Sequence, residues 1–325
     1  MKKQKTYSGK TIATGKRSLL LFLTAFVLLN MGGCIYDNWS DCPQGINVDF
    51  FSKTMCDVDA VYPSLSGLKL FVFDENDNLV ASHDANSEEI TAYYSKTLSV
   101  KNGLFTVVAW GGLNSDAIEL QEIKELETIK KEALFRLIQN ASREISSIEG
   151  VRIYFSESRP VFLPEPSKYG SIFEQAKVNL QEITNRLTIQ IEGLPRNNDF
   201  EVVVESENSC MNIDGSVARG SLVKYVSTPP VFDAADVLQV NLTMLQILSG
   251  YKTALVIKNK TLGTELYRGD LLGTLLLKNP DVNMVCDRDF TIRFTAADKC
   301  DCGNYMIMEI WVNNWLVHSY DVDLE

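Results

Sequence analysis

The chain has 325 residues, 45% of them hydrophobic and 22% charged, with 42 acidic side chains against 31 basic. Such composition excludes a disordered, collagenous or polytopic membrane protein, and the length suits two domains better than one. Lys2, Lys3, Lys5, Lys10, Lys16 and Arg17 all fall in residues 1–33, which hold no acid, so the body that follows is more acidic than the overall net charge of −11. A body of that sign repels phosphate backbones, which argues against nucleic acid as a partner.

The first element is an address. Met1–Arg17 is polar and basic, and Leu19–Leu29 is apolar apart from Thr24. As a helix, that apolar run spans roughly 16 Å at about 1.5 Å per residue, too short for a hydrocarbon core of about 30 Å. A basic segment followed by a short apolar one reads as a secretory signal. Gly32-Gly33-Cys34 follows, with Met31 where a bacterial lipobox usually has leucine. Residues 1–33 are therefore expected to be a lipoprotein signal peptide, and Cys34 the lipidated first residue of the mature chain. The alternative is an ordinary signal peptide whose Cys34 pairs in a disulfide. Two or more acyl chains on one residue give stable anchoring where a single chain is marginal. Cys42, Cys56, Cys210, Cys286, Cys300 and Cys302 remain, in an exported context that permits disulfides; spacing does not decide their connectivity.

Period-two alternation dominates the body. Ile46, Val48 and Phe50 alternate with polar residues, as do Leu187, Ile189 and Ile191. Leu68–Phe73 is apolar at nearly every position, so both faces of that strand are expected to be buried. Met306, Met308, Ile310 and Val312 alternate near the C-terminus. Such runs predict strands. Turn chemistry separates them at Asp74–Asn78, Asn102-Gly103, Pro195–Asn198, Asp214-Gly215 and Asn313-Asn314. Asn313-Asn314 predicts a tight hairpin, since asparagine tolerates positive φ. One stretch departs: in Asp116–Ser142, Leu120, Ile123, Leu126, Ile129, Leu134, Leu137 and Ile138 recur at three-to-four spacing, which predicts an amphipathic helix with its stripe on a sheet. The fold expected is mostly β, two tandem β-sandwiches with that helix inserted in the first. The domains are residues 34–172 and 173–325, divided after the Pro-rich Leu163–Gly170.

The sequence offers little chemistry. His83 and His318 are the only histidines, and neither sits in a nucleophile or metal context. There is no phosphate-binding glycine motif. Asp74-Glu75-Asn76-Asp77-Asn78 has a calcium-loop flavour but lacks the glycine and terminal glutamate of an EF-hand, so a hairpin turn is the better reading. Cys300-Asp301-Cys302 lacks a matching thiolate pair nearby. No enzyme, cofactor, metal or small-molecule substrate is expected.

Four stretches in order carry a resemblance. They are Cys34–Pro43 (CIYDNWSDCP), Leu70–Asp74 (LFVFD), Gly103–Gly112 (GLFTVVAWGG) and Ile310–Trp315 (IWVNNW). Together the chain resembles the FimB-type fimbrial anchor lipoproteins of Bacteroidales, over essentially the whole mature length; the Asp116–Ser142 stretch matches no family motif. The resemblance implies two transthyretin-like sandwiches, and a protein held at the outer membrane at the base of a fimbrium whose length it influences; the acidic Asp37 and Asp41 after Cys34 point to export to the surface. It implies a fimbrial structural subunit as partner. Filaments of sandwich subunits can grow by strand addition, in which one chain's strand completes another's sheet. The hairpin Met306–Val322 is the expected joint, with Ile310, Val312, Trp315, Val317, Tyr320 and Val322 as candidate partner-binding residues; the alternative is a plain core hairpin.

Two other functions stay open. One is a stalk or tip adhesin subunit of similar fold. Stalk subunits of related systems resemble proteins trimmed by an arginine-specific protease, and here no arginine occurs between Cys34 and Arg136, which favours the anchor. The other is a glycan-binding surface lipoprotein, which needs exposed aromatic platforms in loops. Trp39 is the one tryptophan clearly in a loop; Trp110, Trp311 and Trp315 fall on or beside strands, where core packing is expected.

Overall fold

The computed structural model describes residues 41–218, 220–277, 282–298 and 303–319. The signal segment, Cys34, Cys300, Cys302, Tyr320 and Val322 lie outside the described residues. The N-terminal part runs β1 (Gly45–Phe51), β2 (Gly67–Phe73), β3 (Leu79–Asn86), β4 (Ser95–Ser99), β5 (Gly103–Gly111), β6 (Ile118–Leu120), β7 (Ala133–Leu137), β8 (Glu144–Ile145), β9 (Tyr154–Glu157), β10 (Val161–Leu163), α1 (Pro166–Tyr169), β11 (Phe173–Asn179) and β12 (Gln181–Glu182). The remainder runs β13 (Thr184–Glu192), β14 (Phe200–Ser206), β15 (Cys210–Asn212), β16 (Val223–Val226), β17 (Val231–Phe232), β18 (Leu238–Leu245), β19 (Thr253–Asn259), β20 (Thr264–Asp270), α2 (Leu271–Leu276), β21 (Asp289–Asp298), β22 (Tyr305–Val312) and β23 (Trp315–Ser319). The protein is mostly β, as expected.

In the first sandwich, a three-stranded sheet β11-β1-β4 faces the sheet β12-β9-β5-β2-β3, to which β10 adds alongside β5. Their shared core holds Ile46, Val48, Leu70, Val72, Val107 and Val178. In the second, β17-β18-β13-β21-β22-β23 faces β20-β19-β14-β16-β8, around Leu187, Ile189, Val240, Leu255, Ile292 and Phe294. β11 and β12 follow residue 172 in the chain yet pair with β1 and β9, because Ala176 and Val178 point into the N-terminal core. Sheet pairing in the second sandwich begins at β13.

β2 is buried on both faces. Leu68, Leu70 and Val72 point into the first core; Phe71 and Phe73 point the other way, into the cluster that runs on into the second sandwich. Burial of each such side chain contributes about 1.5–3 kcal/mol.

The layer over that second face corrects the expected helix. Asp116–Ser142 folds as the hairpin β6–β7 with turns between. Its backbone groups bond outside a helical ladder: Gln121 N–H donates to the Leu134 carbonyl at 2.9 Å, and Leu126 N–H to the Leu79 carbonyl at 2.7 Å. Leu126 has φ of 64°, which ends any helix there. The supposed stripe is split: Leu134 and Leu137 are buried, whereas Leu120, Leu126, Ile129 and Ile138 are exposed. Three-to-four spacing arose by chance from a strand and a turn, and the strand periodicity of β7 was too short to compete.

This layer also joins the sandwiches. β7 pairs with β15, and β8 with β16. Trp110 is fully buried, donates Nε1–H to the Ile213 carbonyl at 2.8 Å, and packs on Phe135 and Phe155. Cys56, in the loop after β1, is bonded to Cys286, in the loop before β21. The disulfide therefore links the two sandwiches.

Candidate partner-binding edge

The C-terminal hairpin forms where the sequence placed it. Asn313 and Asn314 take φ of 44° and 71° between β22 and β23, the left-handed pair that a two-residue hairpin needs. β23 is the last strand in its sheet's order.

The facing of the side chains differs from simple alternation. Ile310 and Val312 point into the core, but so does Ile307, while Met306 is 54% exposed. The cause is a register shift: Thr295 pairs with Glu309 and Ala296 with Ile307, so Met308 is an extra residue. One inserted residue flips every position beyond it to the other face. A second shift in the β22–β23 pairing sits beside Val317, which turns inward.

The candidate residues thus divide. Ile310, Val312 and Val317 are buried core residues of their own sandwich; they fix the hairpin, so of these candidates only the backbone of the strand is left to meet a partner. Trp315 is 43% exposed and its neighbour Leu316 41%. On the outer face of β22, Trp311 donates Nε1–H to Glu309 Oε2 at 2.9 Å, under the Arg293 guanidinium 5.0 Å from its ring centroid. Arg293 also lies 4.0 Å from Glu192. Such a charged outer face keeps this side of the sheet, beside the edge strand, in solvent. The signal for it was present in the opposite phase of the β22 alternation.

At the start of β21 the Arg186 guanidinium, bonded to Asp289 and Glu182, holds the Asp289 carboxyl below the usual carboxylate range. This clamp ties β13 to β21, the strand against which β22 is laid. Asp74 to Asn78 is a hairpin turn, with Asp74 Oδ1 accepting from the Asn76 and Asn78 amides at 2.9 Å each. Among the described residues no group of three or more metal-ligating side chains forms.

Comparison with known proteins assigns the family. Residues 40–321 match the profile described as "Fimbrillin-A associated anchor proteins Mfa1 and Mfa2". The chain belongs to the Mfa2 family of fimbrial anchor proteins. It is 31% identical over 319 residues to the minor fimbrium anchoring subunit Mfa2 of Porphyromonas gingivalis, across 95% of this chain and 97% of that one. The solved structure of the fimbrial anchor protein Mfa2 from P. gingivalis superposes with a TM-score of 0.79 at 30% identity, over 86% of this chain and all of that chain. A DUF1812 structure from Bacteroides thetaiotaomicron gives 0.70 at 16% identity, covering 86% of this chain and 99% of its own. At that identity the likeness concerns the fold alone. Mfa2-family membership accounts for a molecule built of sheets and edges, with a structural role.

Proposed function

We propose that the protein is an outer-membrane lipoprotein, tethered through Cys34, that holds a fimbrium to the cell surface and influences its length. The carrying observation is the match to an anchoring subunit over 95% of the chain. Its partner is a fimbrial structural subunit. The joint is made by strand addition at the C-terminal hairpin, where β23 ends the sheet and main-chain hydrogen bonds can continue into a neighbour's strand. Trp315 and Leu316 flank that edge. The reading requires no cofactor beyond the covalent lipid, and no small-molecule substrate.

The tether and the joint are tested separately. Cys34→Ala is expected to move the protein from the membrane fraction to the soluble fraction, and filaments from cells to medium. Retention in the membrane with no loss of acyl label would defeat the tether. Deletion of residues 315–325 is expected to leave a folded, lipidated protein that no longer holds filaments. If the truncated protein instead unfolds, the hairpin is core; if it still holds filaments, the joint lies elsewhere.

A further inference from the structure

The solvent face of the sheet β11-β1-β4 carries a polar row between two aromatic ends. Asn47 and Asp49 of β1 point away from the core that holds Ile46, Val48 and Phe50. Thr97 of β4 donates to Asn47 Oδ1 at 2.6 Å. Gln175 and Lys177 of β11 stand opposite Asn47 and Asp49. Beside Asp49 and Lys177 a groove of about 440 Å³ opens, walled by Tyr62, Tyr93 and Tyr94. The rings of Tyr62 and Tyr93 lie 4.4 Å apart by centroid and stay 43% and 74% exposed. At the far end of the row Phe173 is 41% exposed beside Gly45. A Cβ on Gly45 would come within 3.1 Å of that ring and 2.4 Å of the Leu98 carbonyl oxygen, so glycine leaves the ring room to lie over the strand.

Two loops supply the tyrosines, one after β1 and one between β3 and β4. Tyr93 has φ of 64°, a left-handed conformation in which a bulky residue is an outlier.

We propose that this face binds an oligosaccharide. A pyranose ring presents apolar C–H faces and a rim of hydroxyls. The first need an aromatic wall, the second amide, carboxylate and ammonium groups in line; the face offers both. The groove volume falls within the range of about 300–1,000 Å³ typical of small-ligand sites. β1 is already paired on both sides, so an added peptide strand would lie beyond β4 or β11 and not on this face. A purely apolar partner would strip water from Asp49 and Lys177 without replacing it.

The test uses the full-length lipoprotein in a detergent without a sugar headgroup, applied to an array of neutral and N-acetylated oligosaccharides. The best trisaccharide is then titrated against wild type, Tyr93→Asn and Tyr62→Ala. Asparagine tolerates the left-handed backbone, so the first variant removes the ring while the melting temperature stays unchanged. Each variant is expected to bind at least tenfold more weakly. Absence of any oligosaccharide binding by the wild type overturns the proposal, as does equal binding by wild type and the two variants. Filament attachment is counted in the same strains and is expected to be unchanged. Its loss in Tyr93→Asn, with saccharide binding intact or absent, would make this face a protein contact and overturn the proposal while leaving the anchor role standing.

Discussion

Trp110 and Trp315 both stand in apolar strands near a turn, yet the first is fully buried and the second 43% exposed. β5, which carries Trp110, has β2 and β9 as neighbours and a further layer over its outer face. β23, which carries Trp315, ends its sheet. Residue type decided neither outcome; the number of neighbouring layers did. At the seam between the sandwiches the side chain is locked into the fold, whereas at the edge the same side chain keeps much of its surface in solvent.

The comparison breaks most clearly at the tryptophans. Trp110→Ala empties a site between Phe135 and Phe155 and leaves the Ile213 carbonyl without its donor; the expected loss is about 3–5 kcal/mol. Trp315→Ala should stay within roughly 0.5 kcal/mol while reducing filament attachment. Equal losses in denaturant unfolding would erase the distinction between seam and edge.

Next comes the disulfide. Replacing Cys56 and Cys286 by serine together should lower stability by about 2–5 kcal/mol, read as a shift in the denaturant midpoint. No shift would mean that strand pairing alone carries the seam.

Two glycines sharpen the contrast on a smaller scale. Gly215 and Gly250 have φ of 77° and 86°, but a Cβ would lie 2.5 Å from the Phe155 ring at the first and meet nothing within 4 Å at the second. Gly250→Ala should cost about 1–2 kcal/mol from the left-handed backbone alone. Gly215→Ala should cost about 1–3 kcal/mol more, because the seam is already filled. Similar melting temperatures for the two variants would show that Phe155 yields freely.

The smallest expected effect is electrostatic. Hydrogen bonding to Arg186 and Arg268 holds the Asp289 and Glu205 carboxyls below their ordinary values. A depressed carboxylate contributes stability that is fully present above its unfolded pKa and is lost as pH falls through the folded one. Melting temperature should therefore hold from pH 7 to about 5 and drop below about 4. Arg186→Ala should remove up to about 1 kcal/mol at pH 7, a modest figure because Asp289 is largely exposed. A stability loss as large at pH 3 as at pH 7 would contradict the ion-pair origin.

Much of the fold was legible in the residues. Leu68–Phe73, apolar at almost every position, announced a strand buried on both faces, and Asn313-Asn314 announced its turn. Those signals are local, and local chemistry decides them. The Asp116–Ser142 stretch failed because its hydrogen bonds go to Leu79, to Ser209 and to β15 far along the chain, which periodicity cannot register. The extra residue at Met308 failed for a similar reason, since a bulge is defined by the strand opposite. The Cys56–Cys286 pairing was one of several allowed by spacing. Of the candidate site, the hairpin was found but not its facing, and the tyrosine groove escaped because Tyr62 and Tyr93 come from loops about thirty residues apart in the sequence.

The Cys56–Cys286 bond closes a ring across a sequence separation of 230 residues, with two tails. A protease that cuts once inside the ring, at Arg136, Arg143 or Arg159, opens it without releasing a fragment. The tail that bears Cys34 and the tail that bears β23 stay on one covalent body until a reductant is added. A cut between Cys34 and Cys56, in contrast, parts Cys34 from everything beyond the cut. The span between Cys34 and Cys56 is thus the stretch of the N-terminal tail where a single nick separates Cys34 from the body, and it lies within a run that holds no arginine before Arg136.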